Sequence, residues 1–127
     1  MDDRNLIAVA EQAAATSRVI RGARAGATVL ADDGRTFLGC RLEFADSALD
    51  LDAVSNGIAA GRAQGLRRVV RVGYYEPTES GLPTLPAATL QRLHEIAAPG
   101  LVVIFSAGRG EYQERTLADL RAQAGLQ

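Results

Sequence analysis

Leu6, Ile7, Val9, Ala10, Ala13 and Ala14 recur at near-helical spacing, with Glu11, Gln12 and Arg18 between and beyond them, and predict an amphipathic helix over residues 3–20. Gly22 and Gly26 bracket a short connection. Two strand-like runs, near 25–31 and 35–42, then flank Asp32-Asp33-Gly34-Arg35, and Asp-Gly between apolar runs is a strong short-range hairpin signal. Residues 44–49 read as a loop, and Asp50 or Asp52 is placed to cap a second helix carrying Leu51, Val54, Ile58, Ala59 and Arg62 before Gly65. Leu66–Tyr75 is a strand rich in β-branched residues, whereas residues 76–84, with Pro77, Gly81 and Pro83, form an irregular loop. Pro86 suits the first turn of a third helix that runs through Leu90, Leu93 and Ile96 and stops at Pro99-Gly100. Leu101–Phe105 is continuously apolar, as in a strand covered on both faces, and Gly108-Arg109-Gly110 turns the chain into a short strand at 111–115. Thr116 opens a final helix.

The order αββαβαββα, without internal repeat or dividing linker over 127 residues, predicts one domain. A three-layer α/β/α sandwich is the architecture that buries this pattern.

Composition narrows the function classes. Fourteen basic and 15 acidic residues leave a net charge of −1, which gives no long-range attraction to nucleic acid or an anionic membrane. The local arginines are of two kinds: Arg18, Arg21 and Arg24, at a spacing of three, lie roughly along one helical face, and Arg67, Arg68 and Arg71 flank a strand. Each set reads as solvated element ends or as an anion or subunit contact. No apolar run approaches the length of a bilayer span. One cysteine forms no intramolecular disulfide, and Met1-Asp2-Asp3-Arg4 lacks the basic start of a signal peptide, so a cytoplasmic protein is expected. Ser17, Ser47, Ser55 and Thr89 have no His in any nucleophile motif, no Walker loop is present, and the lone His94 reads as a surface or capping residue.

The hairpin carries more than a turn. Gly26-Ala27, Leu30, Asp33-Gly34-Arg35, Phe37, Gly39-Cys40 and Glu43, taken in that spacing, resemble the first hairpin of the cytidine deaminase family. Further resemblance lies in Gly65, in Gln91, Leu93 and Glu95 of the third helix, and in Gly110-Glu111-Tyr112 with Thr116-Leu117 and Leu120, covering roughly three quarters of the chain. It implies a cytidine deaminase-like fold with a mixed five-stranded sheet. It also implies where the chemistry would sit. That family holds a zinc ion by one Cys or His and two Cys, with a Glu two residues after the first ligand to shuttle protons. Here the first ligand falls on Asp52, followed by Ala53; the Glu falls on Val54, and the two Cys fall on Pro86 and Thr89. Cys40 matches a family cysteine that is no ligand. The family's Asn-x-Glu, which grips the ribose, reads Arg41-Leu42-Glu43, and the Phe near the base corresponds to Ala23.

These replacements imply a cytidine deaminase-like protein that has lost the zinc site and the catalytic Glu, with no catalytic residue, metal or cofactor expected. Its role would be non-catalytic: nucleoside binding, regulation or assembly. Glu43, Asp50, Asp52, Ala53, Val54 and Thr89 are the candidate pocket residues, with a pyrimidine nucleoside as the possible ligand. Glu43 reads either as a surviving sugar contact or as an ion-paired strand end, and Asp50 and Asp52 either as helix caps or as part of an acidic cluster. The alternative is an enzyme acting on pyrimidine nucleosides or nucleotides by a zinc-independent, carboxylate-based hydrolysis. The resemblance also implies a homo-oligomer, dimer or tetramer, and the small residues of the second helix (Ala53, Gly57, Ala59, Ala60, Gly61) suggest close helix contact there.

Overall fold

Asp2 accepts a hydrogen bond from the Asn5 amide at 2.8 Å and starts α1 (Asp3–Ala14) in the computed structural model, which describes residues 1–126. Strands β1 (Gly26–Ala31) and β2 (Thr36–Cys40) form the expected hairpin, and Gly34 takes a positive φ of 91° in its turn. A single 3-10 turn at Ser47–Leu49 precedes α2 (Ala53–Ala63), followed by β3 (Val69–Tyr75), α3 (Ala87–Ile96), β4 (Ala97–Ser106), β5 (Tyr112–Thr116) and α4 (Leu117–Gln123). The predicted element order holds throughout.

The sheet order is β2-β1-β3-β4-β5. β1 pairs antiparallel with both β2 and β3, β3 runs parallel to β4, and β4 pairs antiparallel with β5. The sheet is therefore mixed, as the resemblance implied. Alternation along the strands sends Thr28 and Gly73 toward α1, where the Thr28 hydroxyl donates to the Leu6 carbonyl at 2.9 Å. Val29, Val72, Tyr74, Val103 and Phe105 point the other way, into the main core with Val54, Leu90, Leu93 and Leu117 of the remaining helices. Tyr74 and Phe105 meet edge to face, with ring centroids 6.1 Å apart.

Two strand glycines set the layer spacing. A Cβ on Gly26 would stand 2.0 Å from the Ala10 carbonyl of α1, and one on Gly39 would stand 2.0 Å from the Ala53 carbonyl of α2. Both helices lie directly on the sheet backbone.

Four expectations are corrected. The first helix ends at Ala14 rather than near residue 20, because Ser17 exchanges hydrogen bonds with both backbone groups of Ala25, and Arg18 donates its amide to the Arg41 carbonyl. Arg18, Arg21 and Arg24 therefore share no helical face. Leu66 lies in the turn that closes α2, not in a strand: its amide donates to the Gly61 carbonyl, and Gly65 takes a φ of 94°. Pro99-Gly100 does not stop α3. The helix ends at Ile96, β4 begins at Ala97, and the ladder jumps from Val69–Ala97 to Arg71–Val102, so that Pro99 sits in a bulge where its missing N–H is harmless. Gly57 and Gly61 of α2 face inward, against Val29 and Phe37, while Ala59 and Ala60 are exposed. Close packing at those glycines is helix on sheet, not subunit on subunit.

Candidate functional site

Glu43 leaves the end of β2 and is buried, 4% exposed. Its Oε1 accepts from the amides of Ile20 at 2.5 Å, Arg21 at 2.6 Å and Gly22 at 3.2 Å, and Oε2 accepts from Gly22 at 3.0 Å. An ionised carboxylate has about four acceptor sites, so these bonds fill it. The converging N–H groups hold the Glu43 carboxyl well below its usual range, at about 2, the Arg21 and Ile20 amides being the main causes. A Cβ at position 22 would come within 2.5 Å of Oε2, so the loop approaches this closely only as glycine.

Asp50 joins the same corner. It accepts from the Phe44 amide at 2.8 Å and takes both oxygens to the Arg21 guanidinium, at 2.7 and 2.8 Å. The Phe44 amide first, then Arg21, lowers its carboxyl pKa. Arg21 also donates to the Phe44 carbonyl, and the Arg18 guanidinium lies 5.6 Å from the centre of the Phe44 ring.

At the start of α2, Asp52 is the N-cap: its carboxylate accepts from the Ser55 amide at 3.0 Å. Arg92 of α3 spans the gap between the helices, 3.5 Å from Asp52 and 3.1 Å from the Ser55 hydroxyl. Ala53 and Val54 are wholly buried in the core, and Thr89, in the first turn of α3, is 1% exposed. Pro86 caps α3 without a side-chain hydrogen bond.

A third polar group lies nearby, at the end of β3. The buried Tyr74 hydroxyl donates to Glu76 at 2.6 Å; Arg41 also donates to Glu76, at 3.1 Å, and to the Ala23 carbonyl at 2.7 Å. Burial first, then the bond to Glu76, pushes the Tyr74 hydroxyl far above its ordinary pKa, and Asp52 is close enough to add to the effect.

The six candidates are thus distributed over one end of the sheet: Glu43 and Asp50 in the corner held by Arg21, and Asp52, Ala53, Val54 and Thr89 at the first turns of α2 and α3. Cavities of about 650, 350 and 200 Å³ lie elsewhere, against α4, the loop before α3, and α1, and none of the six lines them. Arg21, Arg41, Glu76, Tyr74 and Arg92 were not among the sequence candidates. Two of them had a signal: Arg41 stands at the Asn position of the ribose motif, and Arg21 belongs to the arginine set read as a solvated element end or an anion or subunit contact. Among the described residues no group of three or more His, Cys, Asp or Glu side chains stands close enough to hold a metal ion. His94 is exposed in the last turn of α3.

Neither a protein-family model nor a curated protein matches this sequence. Solved structures do. The cytidine deaminase of Burkholderia pseudomallei superposes with a TM-score of 0.88 at 24% identity, covering 94% of this chain and 96% of that one. The fold is cytidine deaminase-like. The cytidine deaminases of Mycobacterium tuberculosis (TM-score 0.78, 28% identity) and Mycobacterium leprae (0.78, 24%) agree, each over 94% of this chain and at least 94% of their own. Matches that span both chains leave no room for a different architecture in either half. In this cytidine deaminase-like frame, the first turns of α2 and α3 are those to which the resemblance assigned the zinc ligands, and they carry a capped carboxylate, hydrocarbon, a proline and a buried hydroxyl. No helix of the described residues is long and apolar enough to cross a membrane.

Proposed function

We propose that this chain is a cytidine deaminase-like protein without zinc-dependent deaminase chemistry, acting as a non-catalytic regulatory or assembly protein. The observation that carries the reading is the donor set at the two helix starts. Asp52 already caps α2 and faces Arg92, Val54 is hydrocarbon, Pro86 has no donor atom, and Thr89 offers a neutral hydroxyl. Zinc needs three such donors together with an open position, and these residues do not fit it. Cytidine incubated with the protein and excess zinc should release no ammonia above the buffer rate; sustained turnover sinks the reading.

A nucleoside-binding role on the same frame would centre on Glu43, Asp50, Asp52, Ala53, Val54 and Thr89. A ribose reaching Glu43 would first have to displace the amides of Ile20–Gly22, because the carboxylate has no free acceptor site. That favours regulation or assembly, as a homodimer or homotetramer, over a retained pyrimidine nucleoside contact. The hydrolytic alternative needs a carboxylic acid to donate a proton near neutrality. Glu43 and Asp50 are both held in the ionised form, which counts against it.

A further inference from the structure

The cavity of about 350 Å³ between the loop before α3, α4 and the outer edge of the sheet shares no residue with the candidate site. Leu90 and Phe105 form its floor, each 2% exposed, and Leu82, Leu85 and Leu120 form its walls. A water occupies about 30 Å³ in the liquid, so the space suits a molecule of on the order of a dozen non-hydrogen atoms. Such a size and an apolar lining are those of a small-ligand pocket rather than of a packing defect.

Thr84 and Gln123 add two neutral polar groups to the lining, and Arg115 is its single charge among the described residues. Arg115 of β5 stands opposite Val103 and is half-buried on the cavity side. Its neighbour Glu114 alternates to the far face of the sheet, where it pairs with Arg71 at 2.7 Å. Among the described residues Arg115 makes no ion pair, and its one hydrogen bond, to the Glu114 carbonyl, is long at 3.4 Å. Among the described residues no carboxylate lines the cavity. A guanidinium with no counter-ion among the described residues, at the wall of a largely apolar pocket, complements a single negative charge on an apolar body. Its planar fork matches a carboxylate, and one cation does not neutralise a phosphate dianion.

We propose that this cavity binds a small apolar monocarboxylate, with Arg115 taking the carboxylate and Leu82, Leu85, Leu90, Phe105 and Leu120 enclosing the hydrocarbon. This does not depend on the absence of deaminase chemistry, because it uses none of the residues on which that reading rests.

Octanoate and octanol, titrated into ¹⁵N-labelled protein below micelle-forming concentration, test the proposal. Octanoate should shift the amides of Leu82, Leu85, Leu90 and Leu120 and leave those of Ile20–Gly22 in place. Arg115→Gln should weaken octanoate about tenfold or more while leaving the weaker octanol binding unchanged. Leu82→Trp should fill the pocket and remove both responses. No octanoate response at millimolar concentration, responses centred elsewhere, or equal octanoate affinity in wild type and Arg115→Gln would each overturn the proposal; the last needs only a surface-edge substitution that leaves the core intact.

Discussion

Glu43 sits more than twenty residues from the amides it binds, and that distance explains why the sequence left its role open between sugar contact and strand-end ion pair. A capping carboxylate three residues before its amide, such as Asp52 ahead of Ser55, is readable from local spacing; a carboxylate closing a distant loop is not. The consequence is measurable. The folded-state carboxyl titrates at about 2, below its ordinary value of 4.5, so its stabilising effect is present above pH 4.5 and is lost as pH falls from there toward 2. Glu43→Gln should lower the melting temperature at neutral pH, and the difference from wild type should shrink across that acid window. A constant difference down to pH 2 would mean that Glu43 is not the titrating group. Tyr74→Phe removes the hydroxyl that donates to Glu76 while Arg41 remains on the same oxygen. We expect a loss of about 1 kcal/mol in urea unfolding, the net value of one buried hydrogen bond.

Helix boundaries were legible where local chemistry set them and illegible where tertiary bonds did. The Asp52 cap and the Gly65 stop fix α2 from its own sequence. The end of α1, by contrast, is drawn out of the helix by Ser17 and Arg18 pairing with residues of the hairpin. The small residues of α2 were visible, but which side they faced was not, because the partners of Gly57 and Gly61, Val29 and Phe37, lie on other elements. Since a Cβ at position 61 would stand 2.8 Å from the Phe37 ring and 3.1 Å from Leu66, Gly61→Leu should destabilise the fold by about 1–3 kcal/mol. Ala59→Leu, on the exposed side of the same helix, should leave stability within about 0.5 kcal/mol and move only the sedimentation profile if copies meet there. Asp52→Ala should cost about 1 kcal/mol through the lost cap. Chemical unfolding of the three variants side by side separates these effects.

At the scale of the whole molecule, the order of elements and the three layers followed from hydrophobic periodicity, since each amphipathic helix has only the sheet to cover. Strand order and direction did not follow from periodicity: the family resemblance implied only a mixed five-stranded sheet, and the parallel step from β3 to β4 and the central place of β3 come from the structure. The candidate site was legible as a set of positions rather than as a set of contacts. The arginines that hold it together, Arg21, Arg41 and Arg92, approach from three separate parts of the chain. Assembly is a further expectation at this scale: light scattering at micromolar concentration should return the mass of a dimer or tetramer, and a monomer would leave regulation without self-assembly. Protein produced with added zinc, passed over a chelating resin and analysed for elemental content should retain far less than about one zinc per chain, because Asp52, Pro86 and Thr89 do not make a tetrahedral set. Retention of about one zinc per wild-type chain, lost on Asp52→Ala, would show that these positions still hold the metal.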